Sequence, residues 1–129
     1  MITPVAIDNP QEMQVFVTGP GGANRMFIYT GVAVFAFKGI GKNWRRDFID
    51  FEIGRVFLPG QVLDTLATGA LNSIKNVSTA VDAGWAVDRL TPRWDPIEQR
   101  IKVRADLAVS DVDGYLLRMG YQVTVLARI

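Results

Sequence analysis

Alternation of apolar and polar residues dominates this sequence and predicts a protein built mainly of β-strands. The clearest segment spans residues 101–109, where the odd positions are apolar while Lys102, Arg104 and Asp106 occupy even ones. A strand with one buried face has this two-residue period, because successive side chains point to opposite sides. We therefore predict a strand over residues 101–109.

The C-terminal segment repeats the same alternation, with apolar residues at every odd position from Leu117 to Ile129. Between the two segments, residues 111–114 read Asp-Val-Asp-Gly, and Asp-Gly is favoured in tight turns because it tolerates positive φ. The pattern predicts a long antiparallel hairpin whose second arm is a sheet strand.

The N-terminal half carries shorter runs of the same kind. They predict strands over residues 13–18, 25–38 and 47–58, separated by glycine-rich turns at 19–22 and 38–43. The 38–43 segment only superficially resembles a phosphate-binding loop, so we interpret it as a hairpin turn. Gly31, inside the second run, predicts a bulge or bend.

One stretch changes period. Between residues 61 and 75, apolar side chains recur at three- and four-residue steps, which predicts a single helix there. Another strand follows around Trp85 and Val87, and the proline-containing segment 91–96 predicts a rigid connection.

Strands at hairpin spacing with one short helix indicate a mainly β fold. We expect an antiparallel two-layer sandwich or a partly closed barrel, with the helix at about residues 61–75. The length of 129 residues suits a single domain over 1–129. Residues 1–12 lack a strong strand pattern and are a candidate N-terminal arm.

Composition narrows the range of partners. Apolar residues make up 49% of the chain and charged residues 21%, so its composition is on the apolar side of the range for globular proteins. Fourteen basic and thirteen acidic residues leave a net charge of +1, so we expect no nucleic-acid partner. The sequence shows neither a signal peptide nor an apolar run long enough to span a membrane. These features predict no membrane insertion, and cytoplasmic synthesis or a place in a virion.

The absence of histidine and cysteine limits the available chemistry. Catalytic triads, thiolate nucleophiles and sulfur-ligated zinc sites are excluded, so we expect no enzyme, no cofactor and no metal site. Close carboxylate pairs remain at Asp47 with Asp50 and at Asp111 with Asp113, and a carboxylate-dependent enzyme would have to use such a pair.

Two aromatic segments are candidate binding residues. Trp44, Arg45 and Arg46 follow a glycine-rich turn, and an aromatic beside guanidinium groups suits a contact surface. Trp94 lies between two prolines in a predicted connection, where it could stack on a sugar or on a partner chain. The alternative for each tryptophan is a structural role, in which its ring covers the core and binds no partner.

These observations favour a structural, self-assembling interaction protein. It would form a homo-oligomer or join other subunits, as in a viral or tail-like particle, and residues 1–10 are the candidate arm that reaches onto a neighbour. The alternative is a lectin-like module that binds carbohydrate through Trp44 and Trp94. A carboxylate-dependent enzyme is a further alternative.

The alternation also predicts which residues form the core, namely Val103, Leu107, Tyr121, Val123 and Val125. We expect Val123→Asp to prevent folding, because it buries a charge without a partner. Soluble, cooperatively melting Val123→Asp protein in a thermal denaturation followed by circular dichroism would contradict this.

Overall fold

Seven β-strands and no helix make up the described part of the chain. The structure is a computed structural model that describes residues 1–3, 5–19, 22–76, 84–110 and 114–129. The strands are β1 (Ala6–Gly19), β2 (Gly22–Lys38), β3 (Arg45–Ile53), β4 (Val62–Asn76), β5 (Gly84–Trp94), β6 (Ile101–Ser110) and β7 (Gly114–Ala127).

The strands form two antiparallel sheets that pack face to face. One sheet has four strands in the order β1-β2-β7-β4, and the other has three in the order β3-β6-β5. The prediction of a mainly β, two-layer sandwich is confirmed, and the sheets do not close into a barrel. The strands with the strongest alternation, β6 and β7, lie inside their sheets and have a neighbour on each side.

The core lies between the inner faces of the two sheets. The five core residues predicted from the sequence are all buried, with Leu107 and Val123 wholly inaccessible. The largest fully buried side chains are Phe27, Phe37, Phe57, Ile49, Ile101, Leu107, Leu116, Met119, Val103, Val109, Val123 and Val125.

The predicted helix at residues 61–75 is wrong, because this segment is the strand β4. It pairs with β7 from Val62 opposite Ala127 to Asn76 opposite Gly114. Its register with β7 shifts between Val62 and Asp64 and twice between Leu71 and Ile74. Apolar residues on both faces, combined with these shifts, imitate a helical period. The free edge of β7 then supplies backbone partners that override local propensity.

The predicted hairpin between residues 101–109 and 117–129 is also wrong. Both segments are strands, but β6 lies between β3 and β5, whereas β7 lies between β2 and β4 in the other sheet. Alternation shows only that each strand has one buried face. Two strands paired in one sheet have this pattern, and so do two strands that lie in opposite sheets and pack across the core. Residues 111–113 of the predicted turn lie outside the described residues.

The segment predicted as a hairpin turn at 38–43 connects the two sheets instead. It leaves β2 in the four-stranded sheet and enters β3 in the three-stranded sheet. The bulge or bend predicted at Gly31 is found on one side only: β2 pairs with β7 without a shift there, but its register with β1 shifts between Asp8 and Gln11, opposite Gly31. Gly31 is also required by close packing, since a Cβ atom would collide with the hydroxyl group of Tyr121.

The N-terminal residues pack on their own chain and do not project as an arm. Ile2 is 7% exposed and belongs to the core, and its backbone N–H donates to the carbonyl of Phe48 at 2.8 Å. From Ala6 onward the chain is part of β1 and pairs with β2. A contact of residues 1–10 with a neighbouring copy stays a prediction.

A polar cluster connects the two sheets at one side of the sandwich. The Arg55 guanidinium donates to both carboxylate oxygens of Glu12 at 3.1 Å, and the Tyr29 hydroxyl donates to Glu12 at 2.8 Å. Gly54 has a φ of 73° and leaves space for the Tyr29 ring. The bond to Arg55 lowers the pKa of Glu12, whereas burial and the bond to Glu12 raise the pKa of Tyr29 to about 12.

We expect Tyr29→Phe to lower the free energy of unfolding at neutral pH by about 1 kcal/mol, because the hydrogen bond to Glu12 is lost. The pKa of Tyr29 is about 12 in the folded chain and about 10 in an unfolded one. The wild type therefore loses stability as the pH rises from 10 through 12, and the variant lacks this loss. Urea denaturation across this pH range should show that the difference in free energy of unfolding between the two proteins becomes smaller as the pH rises. A constant difference would contradict the assignment.

Candidate interaction surface

The outer face of the three-stranded sheet is charged, and several of its charges form ion pairs. Asp50 lies opposite Arg104 and accepts two hydrogen bonds from it, at 3.0 and 3.1 Å. The Arg104 guanidinium also lies 3.9 Å from the centroid of the Phe48 ring. In the next row Glu52 lies opposite Lys102, with 4.0 Å between the ammonium and a carboxylate oxygen. Cross-strand pairs of this kind stabilise a solvated face.

Further ion pairs border this face. The ammonium group of Lys102 is also 3.4 Å from a carboxylate oxygen of Asp95, and Nε of Arg46 is 3.3 Å from Asp88. Opposite charges are interspersed over the face, which keeps it compatible with water. It offers no extended apolar area to a partner.

The outer face of the four-stranded sheet has the opposite character. The register places Val15, Met26 and Leu126 in one row, which ends on β4 at Asp64. The next row contains Met13, Ile28 and Leu66, with Thr124 between the last two. Met13, Val15 and Leu66 are 61%, 42% and 67% exposed. We call the following set the apolar face: Met13, Val15, Met26, Ile28, Leu66 and Leu126.

The apolar face continues into one uncharged row and then into a row that ends on β1 at Asp8, opposite Val32. Beyond Ile28 the register brings Thr30, Gln122 and Thr68 into one row, and Gly120 and its neighbours into the next. Gly120 has no side chain, so a shallow depression of about 470 Å³ opens at this point. A partner side chain could occupy that depression.

The apolar face and the two rows beyond it form one surface whose size can be compared with that of functional patches. The apolar face spans two rows, so three inter-strand spacings of about 4.8 Å and one two-residue step of about 6.8 Å give about 14 by 7 Å, or roughly 100 Å². With the next two rows the surface covers roughly 300 Å². The largest apolar patches on ordinary monomers reach about 300–600 Å² and often bind a partner. The apolar face is therefore the strongest candidate for a functional surface in the described part of the chain.

The residues predicted at 44–46 form a small exposed cluster at one end of the three-stranded sheet. Trp44 is 48% exposed and its ring edge lies over Gly84. The Arg46 guanidinium is 5.9 Å from the centroid of the Trp44 ring, while Arg45 donates to the carbonyl of Lys38 at 2.6 Å. Their role in binding stays a prediction.

Trp94 is not close to this cluster. It pairs with Ile101 at one end of β6, whereas segment 44–46 pairs with Val109 at the other end. At about 3.4 Å per residue, these ends are roughly 27 Å apart. The Trp94 ring is half-buried, and its Nε1 donates to the carbonyl of Phe57 at 2.9 Å. The two tryptophans therefore do not form one shared site.

The carboxylate pairs considered from the sequence are not brought together as a catalytic pair among the described residues. Asp47 and Asp50 are three residues apart on β3, so their side chains leave opposite faces of the strand. Asp111 and Asp113 lie outside the described residues. In the described ranges no group of three or more acidic side chains is placed to hold a metal ion.

Comparison with known proteins gives no relative. No protein family, no curated protein and no solved structure matches this chain. Within the described residues there is no helix able to span a membrane. Any function must therefore be argued from the surface itself.

Sequence reasoning missed the apolar face, although a signal for it was present. Nearly every residue from Met26 to Phe37 is apolar, and a strand with one buried face needs only every second position to be so. The excess in β2 indicates a strand that also has an apolar outward side. Only the sheet order shows that this side lacks a covering layer among the described residues.

If the apolar face binds a partner, its side chains should contribute little to the free energy of unfolding of the isolated chain. We expect Leu66→Thr to change the free energy of unfolding by no more than about 0.5 kcal/mol, because Leu66 is mostly exposed. Leu107→Ala is the control, and it should cost about 2–5 kcal/mol because Leu107 is fully buried. Urea denaturation monitored by tryptophan fluorescence measures both, and a loss above about 2 kcal/mol for Leu66→Thr would show a structural role.

Proposed function

We propose that this chain is a structural subunit that self-assembles through the apolar face, of the kind that builds viral or tail-like particles. Its partners are other copies of the chain or other subunits of the same assembly. The role is architectural and not catalytic. The observation that carries the proposal is the contrast between one outer face with cross-strand ion pairs and one outer face on which six apolar residues adjoin, with Asp64 at their border.

This contrast suits a subunit in a layered assembly. The paired charges of the three-stranded sheet keep that side in water, while Met13, Leu66 and their neighbours gain from being covered. A sandwich with two such faces has a built-in orientation. Many copies can then pack with the apolar side inward and the charged side outward.

The charge balance supports association between identical copies. With a net charge of +1, two copies repel each other little at long range. The six residues of the apolar face are uncharged, so stacking two copies opposes no like charges among them, and Asp64 lies at the border of the face. The absence of histidine and cysteine removes the commonest catalytic groups and agrees with an architectural role.

Matched charge insertions on the two faces test the proposal. Leu66→Glu introduces one acid into the apolar face, and Thr91→Glu introduces one at an exposed position on β5 of the charged sheet. We expect light scattering at micromolar concentrations to show that the wild type and Thr91→Glu associate, and that Leu66→Glu has a lower mass. A wild type that is monomeric at high micromolar concentration would refute the proposal, as would equal masses for both variants.

A further inference from the structure

The outer edge of β1 is an unprotected pairing edge. Among the described strands, β1 pairs only with β2, so the backbone groups on its other side have no strand partner. From Gln11 to Gly19 the register with β2 runs without a shift. A regular edge of this length is a ready template for another strand.

The other edges of the sandwich carry recognisable protection. At the β3 edge, the N–H of Ile2 donates to the carbonyl of Phe48. β5 contains Pro92 and a register shift between Val87 and Arg89. β4 has several register shifts and packs alongside β5 at the sandwich side. Shifts, prolines and covering segments are the usual means of preventing edge pairing.

β1 lacks these features where it is regular. Residues 11–19 contain no proline, lysine or arginine, and the single charge, Glu12, is bonded to Arg55. The segment instead exposes apolar side chains, with Phe16 72% exposed in addition to Met13 and Val15. Both the backbone and the side chains of this edge are therefore suited to pairing.

We propose that β1 pairs antiparallel with β1 of a second copy, about a two-fold axis at Val15. This register uses all of residues 11–19. It places Val15 opposite Val15 and Met13 opposite Val17, so apolar residues adjoin on one face. Glu12 of one copy lies opposite Thr18 of the other, so the two Glu12 carboxylates do not face each other.

We assign the strand that pairs with the β1 edge to a second copy of the chain, because segment 11–19 is complementary to itself. A two-fold axis requires one surface to match itself, and the 11–19 segment does so without opposing charges. Pairing joins two four-stranded sheets into one of eight strands and doubles the continuous apolar face. The inference rests on the proposed self-association and assigns its first step: dimers form through β1, and the apolar face then assembles the dimers.

Cysteine cross-linking tests the register directly, because the chain has no cysteine of its own. Directly opposed residues of antiparallel strands have Cα atoms about 4.5–5.5 Å apart, within the range of a disulfide. In the Leu66→Glu background, which blocks assembly through the face, Val15→Cys should form a disulfide-linked dimer under mild oxidation. Thr91→Cys, exposed on the other sheet, is the control.

We expect Val15→Cys to cross-link at least about tenfold faster than Thr91→Cys, because paired thiols have an effective concentration far above micromolar. A mixture of Met13→Cys and Val17→Cys should cross-link faster than either variant alone, since these positions oppose each other. Equal rates for Val15→Cys and Thr91→Cys would overturn the β1 interface.

Light scattering separates this inference from the proposed function. If both hold, Leu66→Glu is a dimer, and adding Val15→Lys makes it monomeric, because lysine at an edge prevents pairing. If the wild type associates while Leu66→Glu is already monomeric, the β1 interface fails and self-assembly through the apolar face stands. A wild type that is monomeric throughout refutes both, and would leave the edge to a strand of another protein.

Discussion

The rest of this structure depends on the burial of one face of each sheet against the other. Leu107 and Val109 on β6 and Val123 and Val125 on β7 lose all contact with solvent in this way. Because a strand alternates its side chains, this packing uses only half of each strand. The other half faces outward, and its composition is free to differ between the two sheets.

That freedom produces a molecule with two unlike sides. On the three-stranded sheet, cross-strand pairs such as Asp50 with Arg104 satisfy the outward residues within the fold itself. The four-stranded sheet leaves Met13 and Leu66 largely exposed. Edge protection is equally uneven, because Ile2 covers one edge while β1 from Gln11 to Gly19 is unprotected. This combination of features is the basis of the proposal that the chain is an oriented subunit of an assembly.

The cluster of Glu12, Tyr29 and Arg55 links the β1 edge to the other sheet. It holds the only charge of segment 11–19 toward the sandwich, where Arg55 binds both carboxylate oxygens. The neighbouring residues Met13 and Val15 are thereby left as an uncharged edge. The bond to Arg55 lowers the pKa of Glu12, so the carboxylate remains ionised and bound at neutral pH.

The sequence by itself determined the strands with a clean two-residue period and the residues they bury. Leu107 and Val123 were identifiable because alternation is a local property of the chain. Tertiary structure decided that residues 62–76 form a strand, since β7 offers them backbone partners that their own spacing does not reveal. It also decided that β6 and β7 belong to different sheets, and that Met13 and Leu66 share one exposed face. Strand pairing joins residues that are far apart in the chain, so it is not a local property. Alternation indicates that one face of a strand is buried, but it does not indicate which element covers that face.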